Sequence, residues 1–170
     1  MLQLKVCGMR DENNLSHLID LQPNFIGLIF HEKSPRNIFE PIEIDIPENI
    51  ILTGVFVEES ESFIMQKVRE YGLKAIQLHG YESPSFCEKL KDKKLIIIKA
   101  FNIHEAFDFS TTEPYNGLCD YFLFDAFGKK VLSSTENKEE VLQIGISLND
   151  LKIKRRKLNF LQDGDDFKLL

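Results

Sequence analysis

Five polar side chains of different chemistry close otherwise apolar runs of this chain. They are a thiol at Cys7, a guanidinium at Arg36, an amide at Gln77, an imidazole at His79 and a carboxylate at Asp125. A thiol is a competent base or nucleophile once ionised, and a cation nearby in sequence, such as Lys5 or Arg10, favours that ionisation. A cysteine and an aspartate on different strands form a two-group acid–base pair, each able to act on a different atom of a substrate. The two-residue period of a strand puts Lys5 and Cys7 on one face, and Gln77 and His79 on one face. Gly80, directly after His79, suggests a close backbone approach by a ligand. Each residue taken singly also has an ordinary structural reading. Free cysteines are most often small core hydrophobes, His79 could be a bonded core histidine, Asp125 an N-cap, and Arg36 a solvent-facing loop cation. For Cys87 and Cys119 the structural reading stands. No His-x-x-x-His, Cys-x-x-Cys or clustered carboxylates point to a metal, and no GxGxxG or Walker-type loop points to a nucleotide.

The elements that must position these groups are visible as six strand-like runs: Leu2–Cys7, Phe25–Phe30, Ile50–Val57, Lys74–Leu78, Lys94–Ala100 and Tyr121–Asp125. Each is nearly continuous in hydrophobicity, as expected of strands buried on both faces of a parallel sheet. Amphipathic stretches alternate with them: Asp11–Leu21, Ser60–Tyr71 with a serine that can cap, Ser83–Leu90, and the short His104–Phe109. The strand starts recur at about two dozen residues, the period of a strand–helix unit. Such units make a parallel sheet with right-handed crossovers. Two architectures compete. A doubly wound open sheet needs five or six strands, whereas a (β/α)8 barrel at this period needs about 190 residues, more than the 170 present. Length favours the open sheet and the strand-end residues favour the barrel. In either, ligands sit at the carboxyl ends of the strands, where all five polar groups stand.

Composition sets the outer bounds. With 43% hydrophobic residues the chain can bury one sizeable core. A net charge of −6 gives no electrostatic case for nucleic acid or an anionic membrane surface. Three cysteines without paired spacing argue against a disulfide framework and for a reducing compartment. No signal segment or membrane-length apolar run is found, so a cytoplasmic location is expected.

Lys5-Val6-Cys7-Gly8-Met9-Arg10, Phe25-Ile26-Gly27-Leu28-Ile29-Phe30 with Ser34-Pro35-Arg36, Gly54-Val55-Phe56-Val57 and Ile76-Gln77-Leu78-His79-Gly80, in that order, resemble the phosphoribosylanthranilate isomerase family. Asp125, closing Tyr121-Phe122-Leu123-Phe124-Asp125, falls where that family has its sixth-strand aspartate. The resemblance runs from residue 1 to about residue 128. It implies a (β/α)8 TIM barrel and an Amadori rearrangement of N-(5-phosphoribosyl)anthranilate in tryptophan biosynthesis. It also implies roles. Cys7 would be the general base at ribose C2 and Asp125 the general acid on the ring oxygen. Arg36 would pair with the anthranilate carboxylate, and Gln77 and His79 would line the substrate pocket. A small phosphorylated substrate is implied, with no cofactor; oligomeric state is left open.

After Gly128-Lys129-Lys130 the character changes. Residues 131–170 contain no Pro, only Gly145 and Gly164, and seven acids against seven bases. The run Lys152-Ile153-Lys154-Arg155-Arg156-Lys157 reads as a solvated helix face rather than a nucleic-acid patch. Val141–Leu151 could form a helix. The glycine pairs that hold phosphate in the seventh and eighth loops of such barrels are absent. The expectation is therefore a partial barrel over residues 1–128 with a divergent tail over 129–170, the last two βα units missing or replaced. Activity would be impaired, and a non-catalytic α/β remnant or small-molecule-binding protein is the alternative. A frameshift near residues 128–131 would produce such a change, and the codons for Gln143-Ile144-Gly145, read two bases on, can spell Asp-Trp, as in the Phe-Asp-Trp-like helix start that the resembled family has after its sixth strand.

Overall fold

The structure, a computed structural model, describes residues 3–40, 42, 45–103 and 106–126, together with 142–144 and 167–169. Strands β1 (Lys5–Cys7), β2 (Phe25–Ile29), β3 (Ile51–Phe56), β4 (Ala75–Leu78), β5 (Ile96–Ile103) and β6 (Tyr121–Ala126) lie side by side in chain order, all parallel. Every residue of β2 and β4 is buried, which is why these runs are apolar without alternation. Helices α1 (Glu12–Asp20), α2 (Glu61–Tyr71) and α3 (Pro84–Lys91) cover one face. Each begins on a side chain that bonds an otherwise unpaired backbone N–H: Asp11 to Asn14, Ser60 to Phe63 and Ser83 to Phe86. Gly72, in the left-handed region at φ 63°, ends α2.

The two sheet faces have separate cores. Ile26, Leu28, Leu52, Ile76, Leu78 and Ile97 pack against Leu15 and Leu18 of α1, Ile64 of α2 and Leu90 of α3. Burying each such side chain is worth about 1.5–3 kcal/mol. The other face gathers Cys7 with Ile29 and Val55, and Ile98 with Ala100 and Leu123. Contacts between non-neighbouring strands show that this second face curls inward. Lys5 of β1 bonds Gln77 of β4, and the Phe25 ring of β2 meets Tyr121 of β6 edge-on at 5.8 Å. A flat sheet, with strands about 4.8 Å apart, would keep these pairs well out of reach. The six strands thus form an incomplete (β/α)8 barrel, and the open-sheet alternative is set aside.

The expected elements differ in places. Lys94 lies in the left-handed region at φ 60° and ends the turn after α3. β5 starts at Ile96 and runs to Ile103, so Lys99 lies within the strand and not at its end. No α-helix forms at Ala106–Phe109. A 3-10 helix occupies Phe109–Tyr115 instead, starting on the Asp108 carboxylate and containing Pro114. Thr111 and Thr112 hydroxyls bond the Asp108 and Phe109 carbonyls, a local pattern that competes with the α-helix. His104 and Glu105 lie outside the described residues. Between β2 and β3 the described residues form no helix, and a cavity of about 310 Å³ opens there, lined by Leu28, Ile42, Ile46, Leu52 and Tyr71 among others.

Two short strands stand beyond β6. β8 (Phe167–Leu169) pairs antiparallel with β6, and β7 (Leu142–Ile144) pairs parallel with β8. Neither continues the parallel series, which would need a crossover returning to the same edge of the sheet. Leu142–Ile144 are therefore strand, not part of the helix expected at Val141–Leu151; the remainder of that stretch, and the basic run, lie outside the described residues. No helix among the described residues is long and apolar enough to cross a membrane.

Candidate functional site

Cys7 closes β1, and Gly8 follows it in the left-handed region at φ 86°. That turn allows Arg36, carried on the loop after β2, to lie across the end of β1. Arg36 Nη1 donates to the Cys7 carbonyl at 3.3 Å, and a Cβ at Gly8 would come within 2.7 Å of the same nitrogen. The loop is held by hydrogen bonds from Ser34 N to His31 O and from Arg36 N to the Ser34 hydroxyl. It rejoins β2 through Ile38 N to Ile29 O. Of the two cations near Cys7 in sequence, Lys5 is the one beside the thiol. Both Lys5 Nζ and Cys7 Sγ lie within 3.1 Å of the point where a Gly27 Cβ would sit. Arg10 is exposed and donates to the Pro35 carbonyl at 2.9 Å.

Gln77 and His79, on one face of the chain leaving β4, meet each other and two further strands. Lys5 Nζ donates to Gln77 Oε1 at 2.6 Å, Gln77 Nε2 lies 3.0 Å from His79 Nδ1, and His79 Nε2 lies 3.1 Å from Asp125 Oδ2. This chain of bonds crosses the barrel interior from β1 through β4 to β6. It begins on a fully buried ammonium and ends where His79 and Asp125 side chains are 21% and 18% exposed. The polar groups thus become accessible only at the carboxyl edge, as a ligand site requires. Cys7 lies on β1 and Asp125 on β6.

Three features of the site were not evident from residue types. Gly27 faces Cys7 across the β1–β2 ladder, and any Cβ there would lie under 3.0 Å from the sulfur. An isolated glycine inside an apolar strand is the available signal. Lys5 reaches Gln77, seventy-two positions away; a lysine inside an apolar strand marks a buried charge in want of a partner. Lys99 pairs with Glu82 Oε2 at 3.2 Å, both side chains almost fully buried, and donates to the Gly80 and Ala100 carbonyls. Glu82 in turn accepts from the Gly80 and Glu58 amides. The room that Gly80 provides is therefore taken by Glu58 and Glu82 rather than left to a ligand.

Cys87 and Cys119 pack in the helix-facing core, away from this edge. Both are free thiols, joined by a hydrogen bond and not by a disulfide. That bond draws Cys87 below its ordinary value, while the same bond, with burial, pushes Cys119 well up. Among the described residues no group of three or more His, Cys, Asp or Glu is placed to hold a metal ion.

The chain is similar to known proteins in sequence and fold. The profile of the N-(5'-phosphoribosyl)anthranilate isomerase family matches residues 4–141. N-(5'-phosphoribosyl)anthranilate isomerase of Phocaeicola vulgatus is 43% identical over 122 residues, covering 72% of this chain and 59% of the relative. That of Parabacteroides distasonis is 41% identical over 127 residues, covering 72% and 58%. The chain thus spans under two thirds of the length of these relatives. Phosphoribosyl anthranilate isomerase of Thermotoga maritima superposes with a TM-score of 0.68 at 25% identity, covering 81% of this chain and 67% of that one. A phosphoribosyl anthranilate isomerase in complex with reduced 1-(o-carboxyphenylamino)-1-deoxyribulose 5-phosphate superposes at 0.61, also at 25% identity, covering 75% and 76%. By its profile match over most of its length and by these relatives, the chain belongs to the N-(5'-phosphoribosyl)anthranilate isomerase family.

Proposed function

We propose that the chain is an isomerase of low turnover, acting on N-(5-phosphoribosyl)anthranilate by an Amadori rearrangement to 1-(2-carboxyphenylamino)-1-deoxyribulose 5-phosphate in tryptophan biosynthesis. Asp125, protonated, gives its proton to the furanose oxygen as the C1–O bond breaks and the anilino nitrogen lone pair forms the C1=N iminium. Cys7, as thiolate, takes the C2 proton, and the electrons of that bond neutralise the iminium. The resulting enolamine tautomerises to the 2-keto product. Arg36, anchored on the Cys7 carbonyl, directs its remaining N–H groups at the anthranilate carboxylate, a planar anion that matches a guanidinium. Gln77 and His79 line the pocket between base and acid. Acid and base stand on strands far apart because they act on different atoms of the sugar.

The observation that carries this reading is the bonded chain Lys5–Gln77–His79–Asp125 rising to the edge where Arg36 covers Cys7. Low turnover is proposed because residues 127–170 contain no paired glycines. Backbone N–H groups for phosphate supply the remote binding energy that holds the reacting carbons in place. On this reading residues 1–128 are the working unit, 129–170 a divergent tail, and the location cytoplasmic. The test is turnover by the purified chain together with complementation of a tryptophan auxotroph. Slow turnover, lowered about 10²–10⁴-fold by Cys7→Ala or Asp125→Asn, is expected. Turnover indifferent to both substitutions would refute the assignment, and ordinary turnover would refute the impairment. Binding of the reduced product analogue with no turnover would favour a non-catalytic binding protein.

A further inference from the structure

We propose that Lys5 is a positioning residue: through Gln77 it fixes His79 in the tautomer whose proton sits on Nε2 and points at Asp125. Its catalytic consequence rests on the isomerase reading; its structural content does not.

The argument is one of donors and acceptors. An ammonium has donors only, so the Gln77 atom 2.6 Å from Lys5 Nζ is the amide oxygen. The amide nitrogen then faces His79 Nδ1 at 3.0 Å. That nitrogen has hydrogens and no accepting lone pair, so Nδ1 accepts and carries no proton. The ring proton is on Nε2, which donates to Asp125 Oδ2 at 3.1 Å. Every bond in the chain runs the same way, from β1 to β6. Reversing the histidine would set an N–H against the Gln77 NH2. Turning the amide to relieve that would set the NH2 against the Lys5 ammonium. The lock is therefore as strong as the buried charge at its start, since Lys5 is fully buried and a buried ammonium holds any acceptor it has.

The fixed Nε2–H is a donor already in place for the carboxylate that forms when Asp125 gives up its proton. Donors aimed beforehand at developing charge are the effective kind, because nothing must reorganise during the reaction. Lys5 also lies beside the Cys7 sulfur, so one ammonium is near the base and sets the orientation of the group beside the acid.

The test is nitrogen NMR of the full chain carrying ¹⁵N-labelled histidine. There are four histidines, and His79→Gln identifies the pair of signals that belongs to position 79. The expected pattern is an unprotonated Nδ1 and a protonated Nε2. Gln77→Glu offers an acceptor to both neighbours and is expected to bring a proton to Nδ1. Lys5→Met releases the amide and is expected to give a mixture of tautomers, and Lys5→Arg to restore the single form. If Lys5→Met does not fold, the wild-type and Gln77→Glu spectra decide alone. A proton on Nδ1 in the wild type would overturn the proposal, as would a Gln77→Glu spectrum unchanged from wild type. Where turnover is measurable, Lys5→Met should lower kcat about tenfold with KM changed under about twofold. Absence of turnover with the expected spectra would refute the isomerase reading and leave the role of Lys5 standing.

Discussion

Replacing Gly27 by alanine should destabilise the chain, although on backbone grounds alone the change should help. Gly27 lies outside the left-handed region within a buried strand. There, alanine removes unfolded-state freedom and is worth about 0.4–1 kcal/mol of added stability. The opposing term is steric. The new Cβ would stand under 3.0 Å from Cys7 Sγ, 3.1 Å from Lys5 Nζ and 3.2 Å from Cys7 Cβ. Ordinary carbon contacts sit near 3.5–4.0 Å, so the sulfur must move by about 1 Å. It has Ile29 and Val55 against it, and overpacking of that kind costs about 1–3 kcal/mol. The clash wins, for a net loss of about 1–2 kcal/mol. A double-mutant cycle in denaturant isolates the cause. In a Cys7→Ala background the sulfur is gone, only the 3.1 Å and 3.2 Å approaches persist, and Gly27→Ala should cost at least about 1 kcal/mol less. An equal cost in both backgrounds, within about 0.5 kcal/mol, would show that Gly27 does not make room for the thiol.

Three further outcomes follow from the geometry. Gly8→Ala should lose about 1–2 kcal/mol for a side chain in the left-handed region. On the proposed isomerase reading it should also weaken binding of the reduced product analogue in calorimetry, because Arg36 can no longer lie against the turn. Lys99→Met should cost about 3–5 kcal/mol by leaving the Glu82 carboxylate buried without its ion pair, and Lys99→Met with Glu82→Gln should recover part of it in the same denaturant assay. Stability should fall as the pH rises past the ordinary tyrosine value of 10.0. Tyr71 is held above that value by burial and then by Glu70. Tyr115 is raised by burial and then by negative charge on the Cys87–Cys119 pair and Glu82. In that range the unfolded chain binds fewer protons than the folded one, so ionisation draws the equilibrium toward unfolding. Thermal melts from about pH 9 to pH 11 should show the decline, and Tyr71→Phe should make it shallower.

The strands were legible because each is buried on both faces, so hydrophobicity marks it without any knowledge of its neighbours. The cap at Ser60 was legible because a serine ahead of an amphipathic run has a local reason to be there. The 3-10 helix at Phe109–Tyr115 was not, since it depends on hydroxyl-to-carbonyl bonds that compete with the α-helix at short range. The run expected for β5 stops at Ala100 although the strand continues to Ile103, and the burial of Lys99 inside it is accounted for only by the ion pair with Glu82.

Sequence by itself determined which residue types arrive at the carboxyl edge, because strand period and strand ends are local properties. It could not determine which of them touch. Gly27 meets Cys7 only through the register of β1 against β2, and Lys5 meets Gln77 only because the sheet curls until β1 faces β4. Curl and register are set by the packing of all six strands together. So the direction of the bonded chain from Lys5 to Asp125, and with it the proton on His79, belongs to the tertiary structure.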